Sequence, residues 1–365
     1  MKIGIDTSII NINQAGSGIY VNQLTNALQM NHEHHYALFS PSSTRDMSQP
    51  KTLRSRLGTI YRDVVWTHVL LPLKARHTKV DILHVPSPVM PLKAPCPTVI
   101  SILDTTILQT PKKFPFWHRN YSRIFMPLSA RNASMILTIS EQSKRDIVDQ
   151  LHVAPDKVVV TYLAASEKFR PIAASAIAEV KERYNLSTFI LTVGTLEPRK
   201  NINRLLQAYA SLQPTPYQLV HVGPKGWLYD DISNEVARLN LQNQARFLGR
   251  VPLDDLVALY NAASVFVYPS LYEGFGLPVL EAMCCGCPVI TSNVSSLPEV
   301  LGDAGLLVDP SSVEAIANAL RNVHADSNLA DTMHSKGIAR ASLFSWQRCA
   351  EETIAVYKTA YQNIR

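Results

Sequence analysis

Two carboxylates and a cluster of glycines make residues 268–293, YPSLYEGFGLPVLEAMCCGCPVITSN, the densest chemistry in the chain. Glu273 and Glu281, with seven residues between them, bracket the loop Glu273-Gly274-Phe275-Gly276 and Pro278. A proline just after a glycine loop suits the first turn of a helix, and Gly286 suits its end. Backbone N–H groups at such a helix start form an anion site, reinforced by the helix dipole. Carboxylates beside an anion site are repelled by phosphate, so their partners are hydroxyls or a cation. A phosphorylated sugar supplies both: phosphate for the amides and hydroxyls for the carboxylates. On spacing alone, a loop glutamate and a solvated helix glutamate are the better explanation of the segment.

A second motif shifts the balance. Gly194–Asn201 reads GTLEPRKN and ends an apolar run, placing adjacent Arg199 and Lys200 just before a helix that starts near Asn201. A planar guanidinium fork beside a compact ammonium matches a diphosphate. Alone it is a solvated basic turn; two strand-end motifs of complementary chemistry are harder to assign to coincidence. A third loop, Gly16-Ser17-Gly18, precedes a helix near Ile19 but has Val21 where a dinucleotide fingerprint has its third glycine. The acidic residue expected about twenty positions on is also missing, so a nicotinamide-dependent dehydrogenase is poorly supported.

These residues need strands and helices to hold them. Apolar runs occur at 2–6, 36–40, 81–85, 98–103, 135–140 and 157–163, and again at 189–195, 217–223, 245–251, 264–270, 287–293 and 305–309. Near-continuous apolar strands alternating with helical patterns are the mark of parallel sheets covered on both faces. Two such series predict an α/β chain of two doubly wound, Rossmann-like domains, 1–170 and 171–344, with ligands at the carboxyl ends of the strands. A last helix over 345–365 could cap its own domain or cross back to the first.

The chain has 365 residues, 46% apolar and 18% charged, a globular composition. Its five cysteines make no disulfide framework and no paired metal-ligand spacing, which fits a reducing compartment. Cys284, Cys285 and Cys287 read as packing residues, and the His-Glu-His-His run at 32–35 as a solvated turn. No targeting signal and no apolar stretch of about 18 residues is found. The expectation is a cytoplasmic protein, with peripheral contact at the inner face of a membrane left open. The net charge of +6 is uneven: residues 1–170 hold 20 Lys and Arg against 11 Asp and Glu, and the remainder 15 against 18. That asymmetry asks for an anionic partner. Nucleic acid is set aside, because no recognition module or interleaved aromatic and basic stripe is present.

Taken together, the paired glutamates, GTLEPRKN, Gly16-Ser17-Gly18, and the VGPKGW and FLGRV strand ends resemble the retaining glycosyltransferases of family 4. The likeness is to the mannosyl- and related hexosyltransferase branch. It extends over essentially the whole chain, including the closing FSWQRCAEETIAVY. The resemblance implies a GT-B fold, two Rossmann-like domains facing across a cleft, with the donor on the second domain and the acceptor mostly on the first. It implies that the last helix crosses back to the first domain. By the same analogy Glu273 would hold the donor sugar hydroxyls and Glu281 the nucleotide ribose, while Arg199 and Lys200 would neutralise the departing diphosphate. The amides of Phe275, Gly276 and Leu277 would meet sugar and phosphate, Gly16, Ser17 and Gly18 would close from the other domain, and the base would lie near Arg250 and Val251.

One departure stands out. Where the family commonly has His-Asp, this chain has Leu103-Asp104; Asp104 would orient the acceptor or cap a helix. The expected activity is therefore metal-independent, cofactor-free transfer of a hexose. Mannose from GDP-mannose is favoured, and the acceptor would be a glycan or lipid-linked oligosaccharide of a surface polysaccharide. The alternative, motivated by Leu103, is an inactive sugar-nucleotide-binding subunit. Residues 51–79, basic and carrying Tyr61 and Trp66, would either dock at an anionic membrane or pack as an ordinary amphipathic helix. Oligomeric state is left open.

Overall fold

The computed structural model describes residues 1–10, 16–41, 61–109, 116–226 and 229–363. The chain divides into two compact units, Met1–Leu163 together with Ser345–Arg365, and Ala164–Phe344.

In the first unit β1 (Lys2–Asp6), β2 (His35–Phe39), β3 (Ile82–Val85), β4 (Thr98–Ser101), β5 (Met135–Thr138) and β6 (Val158–Val160) form one sheet in the order β2-β1-β3-β4-β5-β6. Every ladder is parallel. The short inner strands β3, β4 and β5 are buried along their whole length, which is why they read as unbroken apolar runs rather than as alternating ones. Trp66, Leu71, Ile100, Ile136 and Ile147 lie in this unit's core.

The closing helix, Trp346–Gln362, belongs to the first unit. Its Ser345 cap accepts from the Arg348 N–H at 3.1 Å. Cys349, Ala350, Thr353, Ile354, Val356, Tyr357 and Ala360, at helical spacing, form the face it buries. At its far end the Tyr357 hydroxyl meets His84 Nδ1 at 2.6 Å, His84 Nε2 meets Ser101 Oγ at 2.8 Å, and Ser101 Oγ meets the Tyr20 hydroxyl at 2.9 Å. Burial pushes His84 down to about 3, so the ring is neutral and can bridge these hydroxyls. Trp66, which the sequence leaves either to a membrane or to ordinary packing, is buried: its indole N–H donates to Asp6 Oδ1 at 3.1 Å, which fixes that ring inside the sheet's cover.

The second unit repeats the architecture. β7 (Phe189–Val193), β8 (Gln218–Val222), β9 (Ala245–Phe247), β10 (Val265–Tyr268), β11 (Val289–Ser292) and β12 (Leu306–Val308) form a parallel sheet in the order β12-β11-β10-β7-β8-β9. The direction of winding reverses between β7 and β10, and a doubly wound sheet opens its ligand crevice at the carboxyl ends of such a pair. The unit begins earlier than the sequence break near residue 170. Phe169 packs edge-on against Tyr260 at 5.8 Å, and Asn261 Nδ2 donates to the Arg170 carbonyl at 3.0 Å, so Lys168–Pro171 belongs to this unit's packing.

Candidate active site

The loops after β7 and β10 lie side by side, and local chemistry explains why. After β7 the chain passes Gly194 (φ 146°) close against Gly223, where a side chain on Gly223 would meet the Gly194 carbonyl at 2.0 Å. A short 3-10 turn, Pro198–Lys200, then leads into Asn201, held left-handed at φ 60° ahead of the helix Ile202–Ala210. The buried Asn201 amide donates to the carbonyls of Pro269 (3.0 Å) and Pro310 (2.7 Å), tying this loop to those after β10 and β12. The Arg199 carbonyl accepts from Leu271 N–H at 2.8 Å and from Ser270 Oγ at 3.0 Å.

This stitching gathers Glu273, Arg199 and Lys200 into one cluster. Glu273 is only 8% exposed. Its Oε1 accepts from Ser270 Oγ at 2.6 Å, Lys200 Nζ at 2.7 Å and the Tyr268 hydroxyl at 2.9 Å, while its Oε2 pairs with Arg199 at 2.5 Å. Burial opposes its charge, yet Lys200 and Arg199 together win and hold the carboxyl down at about 2. Burial also opposes the Lys200 charge and, with Arg199 nearby, leaves that ammonium below its ordinary value. Burial pulls at Arg199 too, but Glu273 and Glu197 outweigh it and raise its value. Glu197 Oε1 takes Arg199 Nε (3.1 Å) and a terminal nitrogen (2.6 Å), and the Tyr272 carbonyl takes another at 2.8 Å. Two carboxylates and two cations make the cluster electrically neutral. Lys200 also donates to the Tyr268 hydroxyl, so by donor count one N–H of Arg199 and one of Lys200 lie beyond these partners.

Beside the cluster the loop enters the helix Leu277–Cys284 through Gly276, left-handed at φ 108°. A side chain there would meet Leu297 Cδ2 at 2.7 Å, so only glycine fits. Ser295 and Ser296 brace the loop from beneath, donating to the Glu273 carbonyl at 2.6 and 2.9 Å, and Ser296 also donates to the Phe275 carbonyl at 2.8 Å. Pro278 has no N–H and the Val279 N–H turns back to the Gly276 carbonyl at 2.9 Å, so the amides of Gly276 and Leu277 are the ones placed at the positive end of the helix, where an anion is favoured.

Glu281, one turn further, is not the solvated residue that spacing alone allowed. It is half-buried and accepts from the Tyr260 hydroxyl at 3.0 Å. Burial pushes its carboxyl up to about 7, only partly offset by that hydrogen bond.

Comparison with known proteins identifies the family. Residues 175–340 match the family described as Glycosyl transferases group 1, and residues 15–165 match Glycosyltransferase Family 4. The O-antigen chain mannosyltransferase B of Escherichia coli is 41% identical over 265 residues, 71% of this chain and 70% of that protein. The chain is a glycosyltransferase. The serotype-specific mannosyltransferase WbdA of Escherichia coli is 34% identical over 257 residues, 67% of this glycosyltransferase but only 31% of that longer protein. Among solved structures, the sucrose-phosphate synthase of Thermosynechococcus elongatus superposes with a TM-score of 0.78 at 23% identity, each chain fully covered. The fold is GT-B.

The remaining residues singled out from the sequence divide between the units. Arg250, exposed, and Val251, half-buried, follow the edge strand β9 in the glycosyltransferase's second unit. Gly16, Ser17 and Gly18 open the helix Gly16–Gln29 in the first unit. Asp104 is exposed there and caps a turn, its Oδ1 accepting from the Thr106 N–H at 2.9 Å; Leu103, half-buried, accepts through its carbonyl from Ser143 Oγ at 3.0 Å. Residues 51–60 of the basic segment lie outside the described residues. Cys285 and Cys287 are buried at the end of the helix Leu277–Cys284. Sequence reasoning passed over Glu197, Tyr268, Ser270, Asn201 and Tyr260, which hold the cluster in place. Glu197 lay within the quoted motif, where a carboxylate one proline away from Arg-Lys was signal enough to suspect an internal ion pair.

Proposed function

We propose that this glycosyltransferase moves a hexose, with mannose from GDP-mannose the favoured donor, to a glycan or lipid-linked oligosaccharide in surface polysaccharide synthesis. The reading takes its sugar from the mannosyltransferase that is 41% identical, and its chemistry from one observation. That observation is the buried Glu273 gripped by Arg199 and Lys200 at the carboxyl ends of β7 and β10.

A donor seated there brings its diphosphate to the helix start at Gly276 and Leu277 and to the N–H groups of Arg199 and Lys200. Its sugar hydroxyls donate to Glu273, and its ribose hydroxyls to Glu281, with the base toward Arg250 and Val251. The bond from the anomeric carbon to the diphosphate breaks while the acceptor oxygen bonds to the same face of that carbon. The acceptor proton passes to the departing diphosphate, and the anomeric configuration is kept. Glu273 is poorly suited to act as a covalent nucleophile, since Lys200 and Arg199 neutralise it and its Oε1 already takes three donors, which leaves Oε2 to accept from the sugar hydroxyls. Charge stabilisation of the leaving diphosphate is then the main catalytic contribution, with the two cations standing where other enzymes use a metal. The first unit, with its basic excess, receives the acceptor.

Thermal stabilisation by a panel of GDP-, UDP- and ADP-sugars, followed by release of labelled sugar, tests this. Selective stabilisation and turnover with GDP-mannose is the expected result. Tight binding without turnover on any acceptor would make the protein a binding subunit instead. Within the cluster, Lys200→Ala is expected to cost about 2–4 kcal/mol of transition-state stabilisation. Near-normal kcat/KM in that variant would remove Lys200 from the chemistry.

A further inference from the structure

Two neighbouring helices of the first unit turn apolar side chains to solvent. Along the helical stretch Tyr61–Thr78, Tyr61, Val65, Val69 and Leu73 recur at every fourth residue and all are exposed, Leu73 to 58%. On the helix Phe116–Asn132, Tyr121, Ser122, Met126, Ser129 and Ala130 face inward. Its outward residues are Phe116, 73% exposed, with Trp117, Ile124 and Leu128. Such a face is inverted relative to a helix that only covers a sheet.

The two stripes border one seam. His68 Nε2 meets the Tyr121 hydroxyl at 2.9 Å, and the Tyr121 hydroxyl donates to the Asp63 carbonyl at 2.5 Å. The His68 ring lies against Phe125 at 5.2 Å, and Trp117 stacks on Tyr121 at 5.9 Å. His68 Nδ1 accepts from the N–H of Leu92, itself exposed, at 3.4 Å. The apolar tips therefore surround a rigid, hydrogen-bonded joint.

The charge on this face has one sign. Phe116–Asn132 contains no Asp or Glu and carries Arg119, Arg123 and Arg131, with the Arg119 guanidinium over the Phe116 ring at 5.4 Å. Leu71–Thr78 adds exposed Lys74 and Arg76, and the acid of the preceding stretch, Asp63, is buried. A second copy of the chain docking here about a two-fold axis would set this basic face against itself. An anionic lipid surface takes both features at once, apolar tips at the acyl boundary and cations at the headgroup phosphates.

We propose that this face, Val65–Leu73 with Phe116–Leu128, seats the protein on an anionic bilayer. Among the described residues no helix is long and apolar enough to cross a membrane, so the contact is one of lying on the surface. The proposal does not depend on the donor or acceptor chemistry, and its test uses neither.

The full chain is sedimented with vesicles of phosphatidylcholine alone and with vesicles one quarter phosphatidylglycerol. Selective, salt-weakened binding to the anionic vesicles is expected. Trp117→Ser with Ile124→Ser, and separately Arg119→Glu with Arg123→Glu, should each lower that binding by at least roughly tenfold. Thermal unfolding, both transitions included, should be unchanged in both variants, which shows that the first unit is still folded. Equal binding by wild type and both variants, or no binding to phosphatidylglycerol vesicles, overturns the proposal. So does a concentration-dependent dimer, seen by light scattering, that Trp117→Ser dissolves, because the face would then belong to a second copy.

Discussion

Glu281 carries the site's most readable pH signal. Its carboxyl sits at about 7 rather than the ordinary 4.5 because burial disfavours the charge. The groups facing it are Tyr260, Tyr268, Cys284 and Cys285, all raised well above neutrality, so none of them titrates in the same window. A carboxyl raised on folding stabilises the protein fully below its unfolded value and loses that contribution as pH climbs through about 7. Hydroxyls of a nucleotide donate to the ionised form and favour it. Donor affinity should therefore rise by about tenfold from pH 6 to pH 8, reaching a plateau above the folded value. Glu281→Gln should flatten that profile. Calorimetric titration across this range, in wild type and variant, checks it; identical slopes in the two would mean that another group sets the dependence.

At the scale of elements, the strands were the most legible part of the chain. Each of β1 to β12 falls on an apolar run, most clearly the inner strands β3, β4, β5, β10 and β11, which are buried along their length, while the edge strands β2, β9 and β12 are partly exposed. The motifs at strand ends were legible for a related reason: GTLEPRKN and EGFG combine glycines needed for close approach with charges that only a site would bury. Pairwise geometry was not legible. Nothing in the spacing says that Arg199 and Lys200 are bound to Glu273 in the absence of ligand, or that Trp66 turns inward while Val65 and Val69 turn outward. Those outcomes depend on contacts between residues far apart in sequence. Asn201 shows the same limit. Sequence marks it as a helix start, whereas its work is to clamp the loops after β7, β10 and β12 through two carbonyls. Removing the amide leaves those buried carbonyls unpaired at a cost of about 1–3 kcal/mol. Asn201→Gly keeps the left-handed backbone and loses the clamp together with the acceptor for Arg204; Asn201→Ala adds about 1–2 kcal/mol of backbone strain. Thermal denaturation should show Tm falling in both, by roughly 4–10 °C, with alanine the lower. Equal Tm values for glycine and alanine would mean that the backbone relaxes at this position.

At the scale of the whole molecule, the chain leaves its first unit at Leu163, builds the second, and returns at Ser345 to finish the first. The first unit therefore has all six strands of its sheet before Leu163 but lacks part of its helical cover until the closing helix returns, while the second unit is continuous in sequence. The returning helix buries Ile354, Val356 and Tyr357 outright, together with the smaller Cys349, Ala350 and Ala360. Three large side chains at roughly 2 kcal/mol each give an upper value near 6 kcal/mol before the smaller ones are added. That matches the lower range of total domain stability, about 5–15 kcal/mol. Loss of that helix also leaves His84 Nδ1 without the Tyr357 hydroxyl. A chain ending at Phe344 is thus expected to lose the cooperative unfolding of the first unit, whereas residues 164–344 alone should fold and keep nucleotide-sugar binding. Calorimetry of the full chain, the truncated chain and the isolated second unit separates these outcomes. Survival of both transitions after truncation would show that the closing helix is dispensable, and loss of both would show that the second unit depends on the first.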